Sequence, residues 1–194
     1  LRTCGYNERS KQEIRRFLGN GIANLMRKAV PTSADNEHYE NALAVFRKYY
    51  MEHCLEYTSP YEGITDLLKT LQTMGYKQAI VSNKLQPAVT QLNERFFNRY
   101  IHVAIGESKG IRRKPAPDTV FAALKQLGSS PDTSIYIGDS EVDLSTAHNA
   151  NMPCISVAWG FRDRDFLEKH QAGIIATHPA EIPSILERLS ETTL

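Results

Sequence analysis

Two carboxylates follow a short apolar segment in the second half of the chain. Residues 134–138 read Ser-Ile-Tyr-Ile-Gly, which is typical of a buried strand that ends at a glycine turn. Asp139 comes directly after this segment, and Asp143 lies in the first turn of the helix that the pattern predicts next. At the carboxyl end of a parallel strand, two such side chains can share one hard cation. Ser140 followed three residues later by Asp143 also fits a helix-capping box, which is the alternative interpretation.

Polar side chains follow two earlier predicted strands in the same way. Ser82 and Asn83 end one of them, and Lys114 precedes Pro115 in the loop after the other. A hydroxyl and backbone amides can bind phosphate oxygens, a lysine can neutralise phosphoryl charge, and a carboxylate pair can hold Mg²⁺ against it. Because a residue before proline is pushed into an extended conformation, Pro115 favours a Lys114 side chain that projects from the loop.

Each of these groups also has an ordinary structural interpretation. Ser82 and Asn83 are common turn or helix-cap residues. Lys114 ends a basic segment, residues 109–114, and such a segment is most often a solvated loop and less often a nucleic-acid patch.

The elements that must position these side chains fall into two parts. From residue 13 to 30 apolar side chains recur at helical spacing, with an interruption at Gly19-Asn20-Gly21, and a further helix is predicted to end near Tyr57. Turn residues at 59–63 then change the pattern. We therefore predict a small helical domain over residues 1–59 and a second domain over residues 60–194.

The second domain alternates strands with helices, which predicts an α/β fold with a parallel sheet covered on both faces. The predicted strands are 78–81, 101–105, 135–137, 154–158 and 174–175, and the predicted helices are 64–74, 87–97, 118–127, 141–150, 163–170 and 182–189.

Composition excludes several classes of function. A net charge of +1 over 194 residues gives no overall electrostatic attraction for nucleic acid or an anionic membrane, and aromatic residues are missing around residues 109–114. No apolar run approaches the roughly 18 residues that span a bilayer. Cys4, Cys54 and Cys154 are too widely spaced for a paired zinc motif, and their odd number does not fit a disulfide framework. We expect a protein of the cytoplasm.

Taken together, the order and spacing of these groups resemble the haloacid dehalogenase superfamily, most of whose members are Mg²⁺-dependent phosphatases. Ser82 resembles the phosphate-binding second motif of that family, Lys114 the third, and Asp139 with Asp143 the acidic fourth. The resemblance implies a Rossmann-like core that binds a small phosphorylated metabolite through Ser82, Asn83 and Lys114. It also implies that Asp139 and Asp143 bind Mg²⁺.

The resemblance extends into the helical domain. Gly19-Asn20-Gly21 is similar to the glycine loop in the small cap of phosphoglycolate phosphatase-like members, where cap residues help to select the substrate. The segment 159–162, Trp-Gly-Phe-Arg, resembles the same subfamily. The ordinary interpretation of the glycine loop is a turn between two helices. The resemblance makes phosphoglycolate the leading substrate.

One family motif is absent. The reaction of the family begins with an aspartate nucleophile in an Asp-x-Asp-Gly-Thr motif at the end of a central strand, and these 194 residues do not contain it. Asp163-Arg164-Asp165 has the spacing but is predicted to open a helix. Loss of a central strand would split the core. We therefore expect about 20 to 30 natural residues before Leu1, given typical strand and helix lengths, and no turnover without them.

Other functions remain open at this stage. Within the same superfamily they are a pyrophosphatase, a phosphosugar mutase and a haloacid dehalogenase, the last being disfavoured because it needs no metal. From a different class comes a non-catalytic protein that keeps the fold and binds a ligand.

Overall fold

A computed structural model describes residues 1–31 and 33–192 of the protein. Its first part folds into three α-helices, α1 (Lys11–Phe17), α2 (Gly21–Ala29) and α3 (Asn36–His53). Ser10 begins α1 with a reciprocal capping box to Glu13. The predicted break at the glycine loop is confirmed, since α1 ends before it and α2 begins within it.

Helix α3 ends at His53, four residues earlier than predicted. Tyr57 adopts a left-handed backbone with φ 53°, which an α-helix cannot include, and the hydroxyl of Thr58 donates to the carbonyl of Cys54. The apolar periodicity continues through this turn, so the sequence pattern did not mark the end of the helix.

The cap, as we call the helical part over residues 1–59, has its own apolar cluster. Buried side chains of α2 and α3 and of the turn between them form it: Ile22, Met26, Val30, Tyr39, Ala42 and Leu43. Both helices carry an apolar stripe, and the two stripes pack on each other and on side chains such as Tyr6 and Leu85, so this packing follows largely from the sequence periodicity.

Strands and helices then alternate as predicted. The strands are β1 (Ala79–Leu85), β2 (Val103–Glu107), β3 (Tyr136–Gly138), β4 (Cys154–Val157) and β5 (Ile174–Ala176). The helices are α4 (Ile64–Thr73), α5 (Gln86–Phe96), α6 (Asp118–Leu127), α7 (Glu141–Asn149), α8 (Arg164–Lys169) and α9 (Ile182–Thr192). This α/β core with a helical cap confirms the predicted fold class.

The strands pair in two separate groups within residues 1–31 and 33–192. Strand β1 pairs with β2, and β4 pairs with both β3 and β5, in every case parallel. One edge of β1 and one edge of β3 therefore have no strand beside them in the described part of the chain. A cavity of about 1100 Å³ lies between these two edges, with residues 79–84 and 134–139 in its walls.

The apolar core is divided in the same way. One cluster packs α4 and α9 on β4 and β5, and two smaller clusters pack α6 and α7 on β2 and β3. Among the described residues, no helix has the length and apolar character needed to cross a membrane.

Candidate active site

The second half of β1, the turn after β3 and the loop after β2 all border the large cavity. Ser82, Lys114 and Asp139 all line this cavity, although they are far apart in sequence. Hydrogen bonds show how close they lie: Lys114 and the backbone of Asp139 both bind the Asp143 carboxylate, and Lys114 Nζ also donates to the carbonyl of Val81, next to Ser82, at 3.4 Å. Parallel strands favour this arrangement, because their carboxyl ends lie at the same edge of the fold.

An ion pair between Lys114 and Asp143 lies at the centre of the site. Lys114 Nζ is 2.7 Å from Asp143 Oδ1, and the two side chains are only 11% and 7% exposed. The Tyr136 hydroxyl also donates to Oδ1, at 2.9 Å. The Ser140 hydroxyl donates to Oδ2 at 2.6 Å, and the backbone N–H of Asp139 does so at 3.2 Å. Both carboxylate oxygens of Asp143 thus have partners.

These contacts determine the charge of the pair. Burial acts to raise the pKa of Asp143, but the charge and hydrogen bond of Lys114, with the Ser140 and Tyr136 hydroxyls, hold that pKa below its ordinary value. Burial, together with the charge of Asp143, raises the pKa of Tyr136 well above its ordinary value. At neutral pH the site therefore contains an ionised Asp143 and a neutral Tyr136.

The capping-box interpretation of Ser140 and Asp143 is wrong. Ser140 does occupy the N-cap position of α7, but its side chain accepts no capping hydrogen bond. Its hydroxyl instead donates to the Asp143 carboxylate, because that buried charge needs a donor more than the helix end needs an acceptor.

Asp139 has a different environment from Asp143. Its Oδ2 accepts one hydrogen bond from the backbone N–H of Phe161, at 2.7 Å. Gly160 lies so close to Asp139 that a Cβ at position 160 would overlap the carboxylate. Only glycine at this position therefore lets the segment 159–162 approach Asp139. Burial, and then the neighbouring charge of Asp143, raise the pKa of Asp139, although the Phe161 N–H opposes them. Asp139 is thus a partly buried carboxylate that forms no ion pair within 4.0 Å in the described part of the chain, although the charge of Lys114 acts on it.

Asp139 is better placed than Asp143 to bind a divalent cation. Among residues 1–31 and 33–192 no group of three His, Cys, Asp or Glu side chains is arranged around one point, so this part of the chain offers the two aspartates alone. Asp139 Oδ2 accepts a single backbone hydrogen bond, and burial raises the pKa of the carboxyl, which a bound hard cation would lower again. Asp143 would have to share its oxygens with Lys114 and Ser140.

Asn83 has a structural role that its sequence context did not indicate. Its side chain is buried and accepts from the N–H of Lys114 at 2.8 Å. It also donates to the carbonyl oxygens of Lys114 and Gly19, at 3.0 and 3.1 Å. All of these atoms belong to backbone, so the Asn83 side chain holds the Lys114 loop and the cap loop together and is not directed at a ligand. This differs from the predicted phosphate contact.

The cap loop lies directly over the rim. Gly19 and Gly21 have φ values of 110° and 77°, which let the chain turn between α1 and α2. A Cβ on Gly21 would lie 3.3 Å from Arg113 Nη1 and 3.4 Å from the carbonyl oxygen of Asn83. The glycine loop is therefore packed against the end of β1 at Asn83 and against the loop that carries Arg113 and Lys114. Asn20 stands between the two glycines at the start of α2.

Several site residues were missed by sequence reasoning. Tyr136 was assigned to a strand, yet a buried tyrosine hydroxyl needs a partner, and that is the signal which could have placed it beside Asp143. Lys84 lines the cavity two residues after Ser82, and burial lowers its pKa. Arg162 pairs with Glu141 at 2.8 Å and so fixes the segment that contacts Asp139. No sequence signal indicated this last pairing.

Asp163-Arg164-Asp165 is confirmed as the start of a helix. The Asp163 side chain accepts from the N–H of Phe166 and begins α8. Its carboxylate is therefore used as an N-cap.

Comparison with known proteins identifies what this arrangement is similar to. The family model of the haloacid dehalogenase-like hydrolases matches residues 1–157. A phosphoglycolate phosphatase of Pseudomonas syringae pv. tomato is 30% identical over 190 residues, covering 94% of this chain and 70% of that protein. One from Aquifex aeolicus is 28% identical over 162 residues, covering 83% of this chain and 74% of that protein.

A similar fold is found in solved structures. A crystal structure from Lactobacillus delbrueckii subsp. bulgaricus, provisionally assigned as a phosphoglycolate phosphatase, has a TM-score of 0.87 and 35% identity, covering 93% of this chain and 85% of that one. A haloacid dehalogenase-like family protein from Streptococcus pneumoniae has a TM-score of 0.81 at 21% identity, covering 95% and 85%, and supports the fold alone.

Proposed function

This chain belongs to the haloacid dehalogenase-like hydrolases, and from that membership we propose that it serves in the Mg²⁺-dependent hydrolysis of a small phosphomonoester, with phosphoglycolate as the leading substrate. The observation that supports this proposal is the meeting of Ser82, Lys114 and Asp139 at one cavity rim. The names of its relatives in Pseudomonas and Aquifex favour the same ester.

Each side chain has a role in this proposal. The Ser82 hydroxyl, which accepts from the N–H of Lys84 at 3.2 Å, donates its own proton to a phosphate oxygen, and Lys114 neutralises charge on the phosphoryl group. The ammonium of Lys114 has three donors, which reach Asp143, Tyr136 and, at 3.4 Å, the carbonyl of Val81, so a phosphate oxygen would replace this longest bond. Asn83 holds the Lys114 loop in place, which replaces its predicted contact with phosphate.

Asp139 is the direct ligand for Mg²⁺ in this proposal, and Asp143 supports it. A bound Mg²⁺ would supply charge neutralisation and orientation of the phosphoryl oxygens. Asp143 holds Lys114 beside the phosphate and, through its hydrogen bond to the Asp139 backbone, fixes the turn that carries Asp139.

The proposed reaction also needs a carboxylate nucleophile, which the 194 residues do not supply in the family motif. We propose that a strand carrying it pairs with the free edges of β1 and β3. The cavity between these edges supports this, since residues 79–84 of β1 and 134–139 at β3 both line it, together with Lys114. The cap then closes over the rim and excludes bulk water.

The test is phosphate release from 2-phosphoglycolate by the full-length natural protein, with and without Mg²⁺. We expect release that requires the metal and that falls at least about 100-fold in Asp139→Asn, because the metal that stabilises the phosphoryl charge loses its carboxylate ligand. Asp163→Asn is the matched control: it changes the aspartate that caps α8, outside the proposed site, and should leave the rate within about twofold because surface changes are usually small.

Two outcomes would contradict the proposal. Release that is unchanged after removal of the metal would reject the role of Asp139. Binding of phosphate with no release from any small ester would instead favour a non-catalytic binding protein. The 194 residues alone are expected to release no phosphate.

Cys4, Cys54 and Cys154 are free thiols, which is consistent with the proposed location in the reducing cytoplasm.

A further inference from the structure

A second cavity opens between the cap and the loop that carries Lys114. Its volume is about 590 Å³, and it is lined by Asn20 and Asn24 of the cap and by residues 112–116 of the core. No carboxylate is among these lining residues, whereas three of them are cationic. Lys114 lines both cavities, so the second cavity adjoins the proposed phosphate site.

Two neighbouring arginines in this wall differ in their partners. Arg112 is fully engaged by Asp118: its Nε and Nη2 donate to the two carboxylate oxygens at 2.8 to 3.1 Å. Arg113 has no hydrogen bond or ion pair with any described residue. Its Nη1 lies beside Gly21, on the same side of the cap loop as the Asn83 carbonyl. Glu107 also reaches Gly21, but it forms no ion pair with Arg113 within 4.0 Å in the described part of the chain.

The two asparagines of the cap also have unused hydrogen-bonding capacity. Asn24 Nδ2 is buried and has no partner among residues 1–31 and 33–192. Asn20 begins α2, but its side chain makes no capping hydrogen bond. A buried amide donor without an acceptor costs free energy, so it is normally paired, and an anionic ligand in this cavity would supply the acceptor.

We propose that this cavity binds a carboxylate at the end of the substrate that is remote from the phosphate, and that Arg113 is the specificity-determining residue for it. The inference rests on the proposed phosphatase function and narrows the substrate class to small phosphorylated acids. A guanidinium presents two parallel donors to a carboxylate, so Arg113 would select for that group more strongly than a lysine would. Asn20 and Asn24 would complete the hydrogen bonds from the cap side.

The test compares two esters in the full-length natural protein. 2-Phosphoglycolate and ethyl phosphate have the same phosphate and nearly the same length, but only the first carries a carboxylate. We expect Arg113→Met to lower kcat/KM for 2-phosphoglycolate by roughly 10- to 100-fold, mainly through KM, because a hydrogen bond to a charged group is lost. For ethyl phosphate the expected change is within about twofold, since the lost residue makes no contact with it.

Two further variants control for structure. Arg112→Met removes an adjacent charge that is already paired with Asp118, and it should not change the ratio between the two esters. Arg113→Lys should recover part of the preference, because it restores the charge but not the two parallel donors of a planar guanidinium. Thermal unfolding of each variant establishes that it is folded.

The possible failures are distinguishable. Phosphate release from both esters with an Arg113→Met effect that is equal on both, or absent, would overturn the role of Arg113 and leave the phosphatase proposal standing. Release from neither ester by the parent protein would overturn the proposed function and this inference together.

Discussion

The cap and the core differ in how completely their apolar side chains are packed. In the cap, helices that are close in sequence bury one apolar cluster against each other. In the core, the apolar residues fall into three clusters, and a cavity of about 1100 Å³ separates β1 from β3. The reason is the hydrogen bonding of the backbone. A helix satisfies its own N–H and C=O groups, whereas a strand edge needs a neighbouring strand.

The site lies where these two regions meet. Its groups are held by contacts across that boundary, such as Asn83 to the carbonyl of Gly19, and by the buried pair of Lys114 and Asp143. The difference between the regions therefore predicts where substitutions should lower the free energy of unfolding most. Buried charges at the rim should be the most sensitive, the cap interior next, and the walls of the cavity least.

Lys114→Met tests the rim and should have the largest effect. It leaves Asp143 buried without its cation, which is expected to lower the free energy of unfolding by about 3 to 5 kcal/mol at neutral pH. Urea unfolding measures this. Arg112→Met is the control, because it breaks an exposed pair and should produce no comparable loss.

The loss of stability in Lys114→Met should depend on pH. The folded-state pKa of Asp143 is depressed, so its ionisation contributes stability above the ordinary Asp value of about 3.9, and that contribution is lost as the pH falls through the folded-state pKa. The difference between parent and Lys114→Met should therefore shrink in acid. A difference that stays constant with pH would show that the ion pair is not its source.

Leu43→Ala and Ile137→Ala compare the cap interior with the cavity wall. Both substitutions remove three carbon atoms. Leu43 is 4% exposed within the cap cluster, so its truncation should cost about 2 to 5 kcal/mol. Ile137 is 40% exposed on β3, and its truncation should cost less than about 1 kcal/mol because little packing is lost. Equal losses in denaturant unfolding would mean that the cavity wall is packed in solution.

Arg15→Met tests the connection between the two regions and should have the smallest effect. Arg15 of the cap donates to the carbonyl oxygens of Gly160 and Phe161, both at 3.2 Å. Losing these bonds should lower the unfolding free energy by about 1 kcal/mol. Arg16→Met, next in sequence, is the control. If Arg15→Met and Arg16→Met behave alike in thermal unfolding, this contact does not join the cap to the core.

Much of this molecule could be predicted from local patterns. The break at Gly19-Asn20-Gly21, the helix from Asp118 to Leu127 and the strand before Asp139 all appear where the spacing indicated. These elements depend on periodicity and turn residues, which a sequence displays directly. The grouping of Ser82, Lys114 and Asp139 also followed, because parallel strands place their carboxyl ends together.

Other features could not be read in this way. Asn83 was predicted to bind phosphate, but its side chain holds the Lys114 loop, 31 residues further along the chain, and spacing within one segment carries no information about that partner. The spacing of Ser140 and Asp143 allowed a capping box as the alternative, but it did not show that the Ser140 hydroxyl donates to a buried carboxylate.

By itself the sequence determined the order of the helices and strands, the division into cap and core, and the residue types that face the rim, since these depend on neighbours in the chain. Only the tertiary structure decided that Asp143 accepts four hydrogen bonds while the Asp139 carboxylate accepts one from backbone, and that among residues 1–31 and 33–192 Arg112 has an ion-pair partner and Arg113 has none. These differences arise from which distant donors and acceptors reach a group in three dimensions, and burial then determines how strongly each one acts.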